Sequence, residues 1–334
     1  MFDTFITSNL NDYKIHKNPI ELLKIYNRDN LPNILLYGPK NSGKKTLIKN
    51  YLKYIFDLEK ITYQIKEYSI KINNNEVKII IKQSIYFLEI NLFEYGLYDK
   101  HVLTSFIKDL ATNKSVTNNY RIIIVNSIGR TTKLAQLALR RMMEKLYNSS
   151  RFIFTATNIS KVDDAVISRC YSIRVPLPNK DELLDHLKFI SNKNNLNLSN
   201  SIMNEVIVRS KRDLYNLNMI ILDYQIDNKF IDNPLIIFCN KIQNCLEKDG
   251  LEFIDSIRII IYQIHLLNYS DADIFKEYVH FLSNKKIFTD SEMIMICEEA
   301  ALNEHRSCIG KKPFYNLEKF FIYIKRILIE RYNK

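Results

Sequence analysis

The chain contains 334 residues with a formal net charge of +11; 46% of the residues are hydrophobic and 25% are charged. This composition is typical of a soluble globular protein, and the length predicts two or three domains. Apolar runs such as 122–125 are too short to cross a bilayer, and residues 1–14 lack the pattern of a signal peptide. We therefore expect no membrane association.

The positive charge favours a polyanionic partner. Clustered lysine and arginine side chains gain affinity for nucleic acid by releasing its counterions. The alternative is compositional, because the chain is rich in Asn, Lys, Ile and Tyr, as expected of an AT-rich genome. The five cysteines form no CxxC pair and the six histidines no HxxxH spacing, so we expect reduced thiols and no structural metal.

The first half of the chain alternates strand-like and helix-like segments. The strands are continuous apolar runs, whereas the helices place apolar residues at intervals of three and four. This alternation predicts an α/β fold with a largely parallel sheet that is covered on both faces. The predicted strands are 33–38, 77–83, 86–92, 120–127 and 151–158, and the predicted helices are 44–56, 99–111 and 133–147.

Two breaks divide the chain further. A pair of prolines within Val175–Lys180 interrupts the alternation, and 227–234 is a second polar stretch. Helix-like segments lie between these breaks and fill the rest of the chain. We therefore predict an α/β domain over 1–177, a small helical domain over 178–228 and an all-helical domain over 229–334.

A glycine-and-lysine loop joins the first predicted strand to the first predicted helix. It matches the pattern GxxxxGK, in which backbone N–H groups, a helix N-terminus and a lysine surround phosphate oxygens. The strand before it and the helix after it are the context that this motif requires. The loop is thus a predicted P-loop with ATP or ADP as its candidate ligand. The candidate nucleotide-binding residues are Gly38, Pro39, Asn41, Ser42, Gly43, Lys44, Lys45 and Thr46.

The positions that would serve a metal ion carry unsuitable residues. Lys45 stands where a hydroxyl usually coordinates Mg²⁺, and Thr46 is turned by about 100° along the helix from that position. Asn126 and Ser127 end a buried strand where carboxylates would hold Mg²⁺ through water or polarise an attacking water, and Gly129 follows them. We therefore expect no Mg²⁺, no hydrolysis at this loop, and a weak or vestigial nucleotide site.

Several motifs, in the correct order, resemble one family. The segment "LAQLALRRMMEK" followed by "RFIFTATNISKVDDAVISRCYSIRVPLP" closely resembles the clamp-loader small subunits of replication factor C, which are AAA+ proteins. G-K-K-T in the P-loop and "NEHRSCIGKKPFYNLEKFF" near the C-terminus are similar to the subunit type called 3 in human and 5 in budding yeast. Members of that type keep acids after the strand that here ends in Asn126, so the chain departs from them at this point.

The resemblance implies a function for each predicted domain. Residues 1–177 are expected to be the α/β domain of an AAA+ module, 178–228 its helical lid, and 229–334 a helical collar that joins related subunits into a hetero-pentamer. The family opens a ring-shaped sliding clamp and places it on primer–template DNA, with ATP bound at subunit boundaries. The implied partners are therefore other clamp-loader subunits, the clamp and DNA.

The resemblance also assigns roles to particular residues. Arg169, in the triplet Ser-Arg-Cys, is expected to act in trans as an arginine finger on a neighbour's ATP; the alternative is a surface arginine that caps a strand or pairs with Asp163 or Asp164. Asn158 matches the polar residue called sensor 1. Tyr215 stands where the family has the arginine of the second sensor helix, which weakens the case for ATP binding further.

Two lysines are candidates for contact with DNA. Lys100 and Lys108 lie on predicted helix 99–111, where members of the family present basic residues to DNA phosphates. The alternative is that they belong to the solvated face of the helix.

Two other functions stay open at this point. One is a catalytically active clamp-loader subunit that uses Thr46 and an acid from elsewhere in the chain. The other is a P-loop kinase for a small molecule, which would need a carboxylate to position its acceptor. The resemblance places the protein in the nucleus of a cellular eukaryote, or at the intracellular replication site of a virus.

Overall fold

The computed structural model describes residues 10, 15–72, 75–107, 120–194, 198–227, 234–246, 250–267, 269–309 and 313–332. The chain forms two compact units, Met1–Lys229 and Phe230–Lys334. The first unit contains a sheet and helices, and the second is helical. The predicted boundary between 177 and 178 falls inside the first unit and stays a prediction.

Seven strands form one sheet in the first unit. Their bounds are β1 Ile34–Tyr37, β2 Gln64–Ile72, β3 Asn75–Gln83, β4 Phe87–Ile90, β5 Arg121–Val125, β6 Ser150–Ala156 and β7 Tyr171–Arg174. The order across the sheet is β2-β3-β4-β5-β6-β1-β7. Strands β4, β5, β6, β1 and β7 pair in parallel, whereas β2 and β3 pair antiparallel at one edge. The predicted α/β fold with a largely parallel sheet is confirmed.

The described part of the first unit contains eight α-helices, and two of them match the predicted helices 44–56 and 133–147 to within two residues. Their bounds are α1 Lys17–Lys24, α2 Lys44–Ile55, α3 Asp99–His101, α4 Lys133–Lys145, α5 Asp164–Ile167, α6 Lys180–Lys193, α7 Asn200–Ser210 and α8 Leu214–Asp227. Short 3₁₀ turns cover Arg28–Asn30, Leu92–Tyr98, Ile128–Arg130 and Ile159–Lys161.

One predicted helix differs in its winding. The sequence predicts a continuous α-helix over 99–111, but α3 passes into π-helical turns over Val102–Ile107. The hydroxyl of Thr104 donates to the carbonyl oxygens of Lys100 (3.0 Å) and His101 (3.4 Å). Such back-bonding by a threonine perturbs the regular ladder of backbone hydrogen bonds.

The apolar strands form the centre of the first core. The β5 residues Ile122, Ile123, Ile124 and Val125 are all buried, because helices cover both faces of the parallel strands. On β6, Phe152 and Phe154 stack with ring centroids 5.8 Å apart. Helix α2 packs through side chains that recur at helical spacing, namely Leu47, Ile48, Tyr51, Leu52 and Ile55. This packing fixes the loop that joins β1 to α2.

The described residues of the second unit form five helices. Their bounds are α9 Pro234–Cys245, α10 Gly250–Leu266, α11 Asp271–Lys285, α12 Asp290–Ile309 and α13 Pro313–Tyr332. Its core holds an aromatic cluster in which Tyr278 contacts Phe320 and Phe321 edge to face, with centroids 6.2 and 5.1 Å away. No helix in the part of the chain that the structure describes is long and apolar enough to cross a membrane.

Candidate nucleotide site and its surroundings

The residues predicted to bind nucleotide lie at one edge of the sheet. In the parallel pairing, Tyr37 at the end of β1 lies opposite Ala156 near the end of β6. Val125 at the end of β5 lies opposite Phe154. The P-loop, Asn126 and Asn158 therefore follow the carboxyl ends of neighbouring strands, which is where open α/β sheets bind ligands. Asn158 is exposed at this edge.

The backbone of the P-loop requires its glycines. Gly38 lies so close to the chain after β7 that a Cβ atom would come within 2.0 Å of the carbonyl oxygen of Val175. Gly43 has a left-handed φ of 88° and caps the N-terminus of α2, and Asn41 has a φ of 59°. Successive backbone turns of this kind form an anion-binding concavity before a helix.

The side chain of Lys44 folds over this loop. Its Nζ donates to the carbonyl oxygens of Gly38 (2.8 Å) and Pro39 (2.5 Å) and to Ser42 Oγ (3.2 Å). Burial lowers the pKa of Lys44 from 10.5 to about 8, so the group still carries a positive charge at neutral pH. The loop, the helix N-terminus and this ammonium group fit a nucleotide phosphate.

Two contacts that the sequence did not reveal hold the loop from outside. The Nε2 atom of His16 lies 2.7 Å from the carbonyl oxygen of Ser42, and both residues are buried. Because a carbonyl only accepts, Nε2 carries the proton. Burial is the main cause that lowers the pKa of His16 and keeps the ring neutral. On another side, Asn41 Nδ2 donates to Asp213 Oδ2 at 2.9 Å.

The side chain of Asn126 is hydrogen-bonded to other protein groups and is not free to coordinate a metal. It is buried, and its Nδ2 donates to Glu89 Oε1 at 2.8 Å. Its Oδ1 accepts from Thr155 Oγ1 at 3.2 Å, and Thr155 Oγ1 in turn accepts from the backbone N–H of Ser127 at 3.0 Å. Both ends of the amide are therefore used by the protein.

Beside this network lies a cavity of about 10 Å³, room for roughly one water molecule. It is lined by Lys45, Ile48, Lys49, Phe87, Glu89, Ile124 and Asn126. Glu89, on β4, is an acid at this edge of the sheet that the sequence did not single out.

These residues do not fit Mg²⁺. Lys45 is an exposed cation, and the oxygen of Asn126 and one oxygen of Glu89 already accept hydrogen bonds. A Cβ on Gly129 would lie 3.2 Å from Lys161 Cβ, so an acid there would crowd the neighbouring turn. Among the residues with described positions, no group of three His, Cys, Asp or Glu side chains is placed to hold a metal.

Arg169 lies at the surface just after α5. Its Nη2 is 2.6 Å from Glu144 Oε1, and its Nη1 donates to the carbonyl oxygen of Ala165 at 2.7 Å. About a third of the side chain is exposed. The carboxylate that pairs with Arg169 is thus Glu144 on α4, whereas Asp163 caps α5 by accepting from the N–H of Ala165.

A buried glutamine connects the turn after β5 to the segment that carries Arg169. Gln136 Nε2 donates to the carbonyl oxygens of Ile128 (3.2 Å) and Lys161 (3.1 Å), and its Oε1 accepts from the N–H of Asp163 at 2.7 Å. The position of Asp163, and of the short helix that it caps before Arg169, therefore depends on the residues that follow β5.

The structure describes one of the two lysines predicted to contact DNA. Lys100 is exposed in the first turn of α3, and Lys108 lies outside the described residues. Buried Asp99 joins the N-termini of α3 and α4, since its Oδ2 accepts from the N–H of Thr132 at 2.7 Å and its Oδ1 from the hydroxyl of Thr132 at 2.8 Å. Tyr215, at the start of α8, is half exposed.

Comparison with known proteins agrees with the resemblance. A family model described as DNA polymerase III, delta subunit, matches residues 17–179. A replication factor C subunit 3 of Arabidopsis thaliana is 25% identical, with 95% of this chain and 94% of the relative covered. A replication factor C subunit 5 of Oryza sativa is 27% identical, with the same two shares covered. Over nearly its whole length, the chain is similar to replication factor C small subunits.

The relationship extends to viruses and to the solved structures. A protein of Acanthamoeba polyphaga mimivirus, whose name also assigns it to the replication factor C small subunits, is 28% identical, with 100% of this chain and 92% of that protein covered. A DNA polymerase III gamma subunit-related protein of Thermotoga maritima is 10% identical and aligns with a TM-score of 0.50 over 93% of this chain and 99% of that one. That likeness is one of fold, and it agrees with the predicted order of an α/β domain with a largely parallel sheet followed by helices.

Proposed function

We propose that this chain is a small subunit of a hetero-pentameric clamp loader that places a sliding clamp on primer–template DNA. The observation that carries the proposal is the similarity to replication factor C small subunits over about 95% of the chain and of each relative. A shared fold alone would leave the function open, but this similarity is one of sequence and extends over nearly the whole of both chains.

The proposal includes a P-loop that does not hydrolyse ATP. Hydrolysis in this class of site needs a metal that bridges two phosphates and a group that orients water. Lys45 and Asn126 occupy the positions concerned, and Asn126 is committed to Glu89 and Thr155. Lys44 and the turned backbone remain suited to phosphate, so ATP or ADP is the expected ligand, bound without Mg²⁺.

Arg169 would then contribute to catalysis at a neighbouring subunit. Its ion pair with Glu144 is between side chains that are 35% and 48% exposed, and such surface pairs are worth about 0–1 kcal/mol. A guanidinium group can exchange such a carboxylate partner for a phosphate at a small cost in free energy. It binds the phosphate through two parallel N–H donors of its planar fork. The bond to the carbonyl of Ala165 and the exposed side chain keep the group at the surface, where another subunit can meet it.

The other proposed partners follow from charge and position. The net charge of +11 and the exposed Lys100 beside the joined N-termini of α3 and α4 suit DNA phosphates. The relatives include proteins of plants and of a virus, so the proposed location is the nucleus of a cellular eukaryote or the intracellular replication site of a virus.

Reconstitution tests the proposal directly. The tagged chain is co-expressed with the other clamp-loader subunits of its source, purified, and assayed for loading of the cognate clamp onto primed DNA. We expect one copy of the chain in a five-subunit complex and loading that fails when the chain is omitted. A chain that purifies alone, or a complex that loads clamps equally well without it, would contradict the proposal.

One structural observation favours the alternative of an active ATPase. Glu89 supplies an acid next to Asn126, which is the element that an active subunit using Thr46 would need. Calorimetric titration of the chain with ATP, with Mg²⁺ and with EDTA, separates the two cases. Equal affinity in both buffers supports the proposal, whereas Mg²⁺-dependent binding together with phosphate release that Glu89→Gln abolishes supports the active enzyme.

A further inference from the structure

The phosphate loop is bonded directly to a helix distant in sequence. Asn41, in the middle of the P-loop, donates from Nδ2 to Asp213 Oδ2 at 2.9 Å, across 172 residues of sequence. Asp213 precedes α8, the helix on which the family resemblance places a nucleotide-sensing arginine. We propose that Asn41 and Asp213 form a positioning pair. Their hydrogen bond sets the position of α8 relative to the P-loop when no nucleotide is bound. This inference does not depend on the clamp-loader function.

Asp213 is rigidly attached to α8. Its Oδ1 accepts from the backbone N–H groups of Tyr215 at 2.8 Å and Asn216 at 3.1 Å, which is how a capping residue holds the first turn of a helix. One carboxylate oxygen therefore binds the helix and the other binds the P-loop. Hydrogen bonds to a charged group are roughly twice as strong as neutral ones. The bond between Asn41 and Asp213 therefore couples the position of α8 to that of Asn41.

The turn before α8 has a second anchor. Lys211 and Arg212 both have left-handed backbones, with φ values of 51° and 67°, a conformation that non-glycine residues keep only when their surroundings impose it. The side chain of Arg212 makes hydrogen bonds that hold the turn in this conformation. Its Nε donates to the carbonyl oxygen of Pro178 at 2.8 Å, and its Nη2 donates to the carbonyl oxygen of Leu177 at 3.2 Å. The turn is thus fastened to the segment that leads from the sheet into α6.

The P-loop is held on another side as well. His16 binds the carbonyl oxygen of Ser42, the residue next to Asn41, so two consecutive loop residues are bonded to different parts of the unit. Tyr215 presents a half-exposed phenol on α8 and cannot form the ion pair that an arginine would make with a phosphate. The hydrogen bond between Asn41 and Asp213 therefore joins the P-loop to α8 through the protein's own side chains.

Hydrogen exchange of the full chain without nucleotide tests the pair. Asn41→Ala removes the donor, and Asn204→Ala, at an exposed position on α7, is the matched control. A hydrogen bond to a charged group is stronger than a neutral one, so its loss is expected to accelerate amide exchange about tenfold or more. The acceleration should appear both in the P-loop and in the first turn of α8, and the control should match the wild type. Acceleration confined to the P-loop would overturn the inference.

A reversed pair separates positioning from general loss of stability. Asn41→Asp alone sets two carboxylates against each other and should accelerate exchange at both places. Combined with Asp213→Asn, it restores one amide and one carboxylate with donor and acceptor exchanged, because asparagine also caps helices well. We expect the double variant to recover most of the protection of the wild type. A double variant no better protected than Asn41→Asp would overturn the inference, even if Asn41→Ala fails to fold.

Discussion

Replacing Asn126 by aspartate returns an acid to the end of β5, and the structure predicts that this acid is not tolerated. In the native chain, Asn126 Nδ2 donates to Glu89 Oε1 at 2.8 Å. An aspartate cannot donate while ionised, so two carboxylate oxygens would face each other across that distance. The variant therefore loses a hydrogen bond and gains a repulsion.

The size of the effect follows from the geometry. Two like charges 2.8 Å apart repel by about 6 kcal/mol at an effective dielectric constant of about 20. Because the pair is only partly buried, and because one carboxyl can keep its proton, we expect Asn126→Asp to lower the free energy of unfolding at pH 8 by roughly 2–4 kcal/mol.

The loss should depend on pH in a defined direction. The charge of Glu89 raises the pKa of the introduced carboxyl in the folded protein above its value in the unfolded chain. Between these two pKa values the folded state binds the extra proton, so stability falls as the pH rises. Urea unfolding followed by circular dichroism should show a larger difference from the wild type at pH 8 than at pH 5.

The matched control exchanges the two groups. Glu89→Gln combined with Asn126→Asp keeps one amide, one carboxylate and the acceptor for Thr155, so most of the stability should return at pH 8. If Asn126→Asp alone is as stable as the wild type at pH 8, or if the exchange gives no recovery, the assigned network is wrong.

Three further predictions concern the P-loop and the first unit. Gly38→Ala should cost more than about 4 kcal/mol in unfolding experiments, because its Cβ would meet the carbonyl of Val175 at 2.0 Å. Gly96→Ala, at a positive φ of 53° but in open space, should cost only the backbone strain of about 1–3 kcal/mol. Equal losses would contradict this prediction. Burial lowers the pKa of His186, on α6, from 6.5 to about 4. As the pH falls, the unfolded chain therefore binds a proton at this histidine before the folded chain does. The free energy of unfolding should fall by roughly 3 kcal/mol as the pH drops from 6.5 towards 4. His186→Leu should remove that part of the acid-induced loss, and an unchanged pH profile would refute the assignment. Nucleotide affinity should be the same within about twofold in Mg²⁺ and in EDTA, because Lys45 stands in place of a metal ligand; a large Mg²⁺ dependence would contradict it.

The parts of the fold that the sequence predicted are those with strong local signals. The run Ile34–Tyr37 into GxxxxGK, and the apolar runs of β5 and β6, carry their periodicity within a few residues. Strand β2 was missed, since most of its residues are exposed and charged or polar side chains interrupt the apolar pattern. The π-helical winding after His101 depends on hydrogen bonds that periodicity does not show.

The motifs singled out Lys44, Asn126 and Arg169, and their functional roles stay predictions. The structure places Lys44 after β1, Asn126 after β5 and Arg169 at the surface after α5. The groups that these residues contact could not be predicted. Their partners are distant in sequence: Glu89 is 37 residues from Asn126, and Glu144 is 25 residues from Arg169. Only the pairing of β4 with β5 and the packing of α4 near α5 bring these groups together.

The proposed contribution of this chain to catalysis is made at a neighbour's site, through Arg169. The most direct measurement is the clamp- and DNA-stimulated ATPase of the reconstituted complex carrying Arg169→Ala or Lys44→Ala. Arg140→Ala is the matched control, because Arg140 pairs with the same Glu144 at 3.6 Å. We predict that Arg169→Ala removes the neighbouring site's share of hydrolysis, where an arginine finger is worth about 10³–10⁵ in rate, while the other two variants retain wild-type rates. A loss of ATPase rate with Lys44→Ala and none with Arg169→Ala would contradict the proposed role of Arg169 at the neighbour's site.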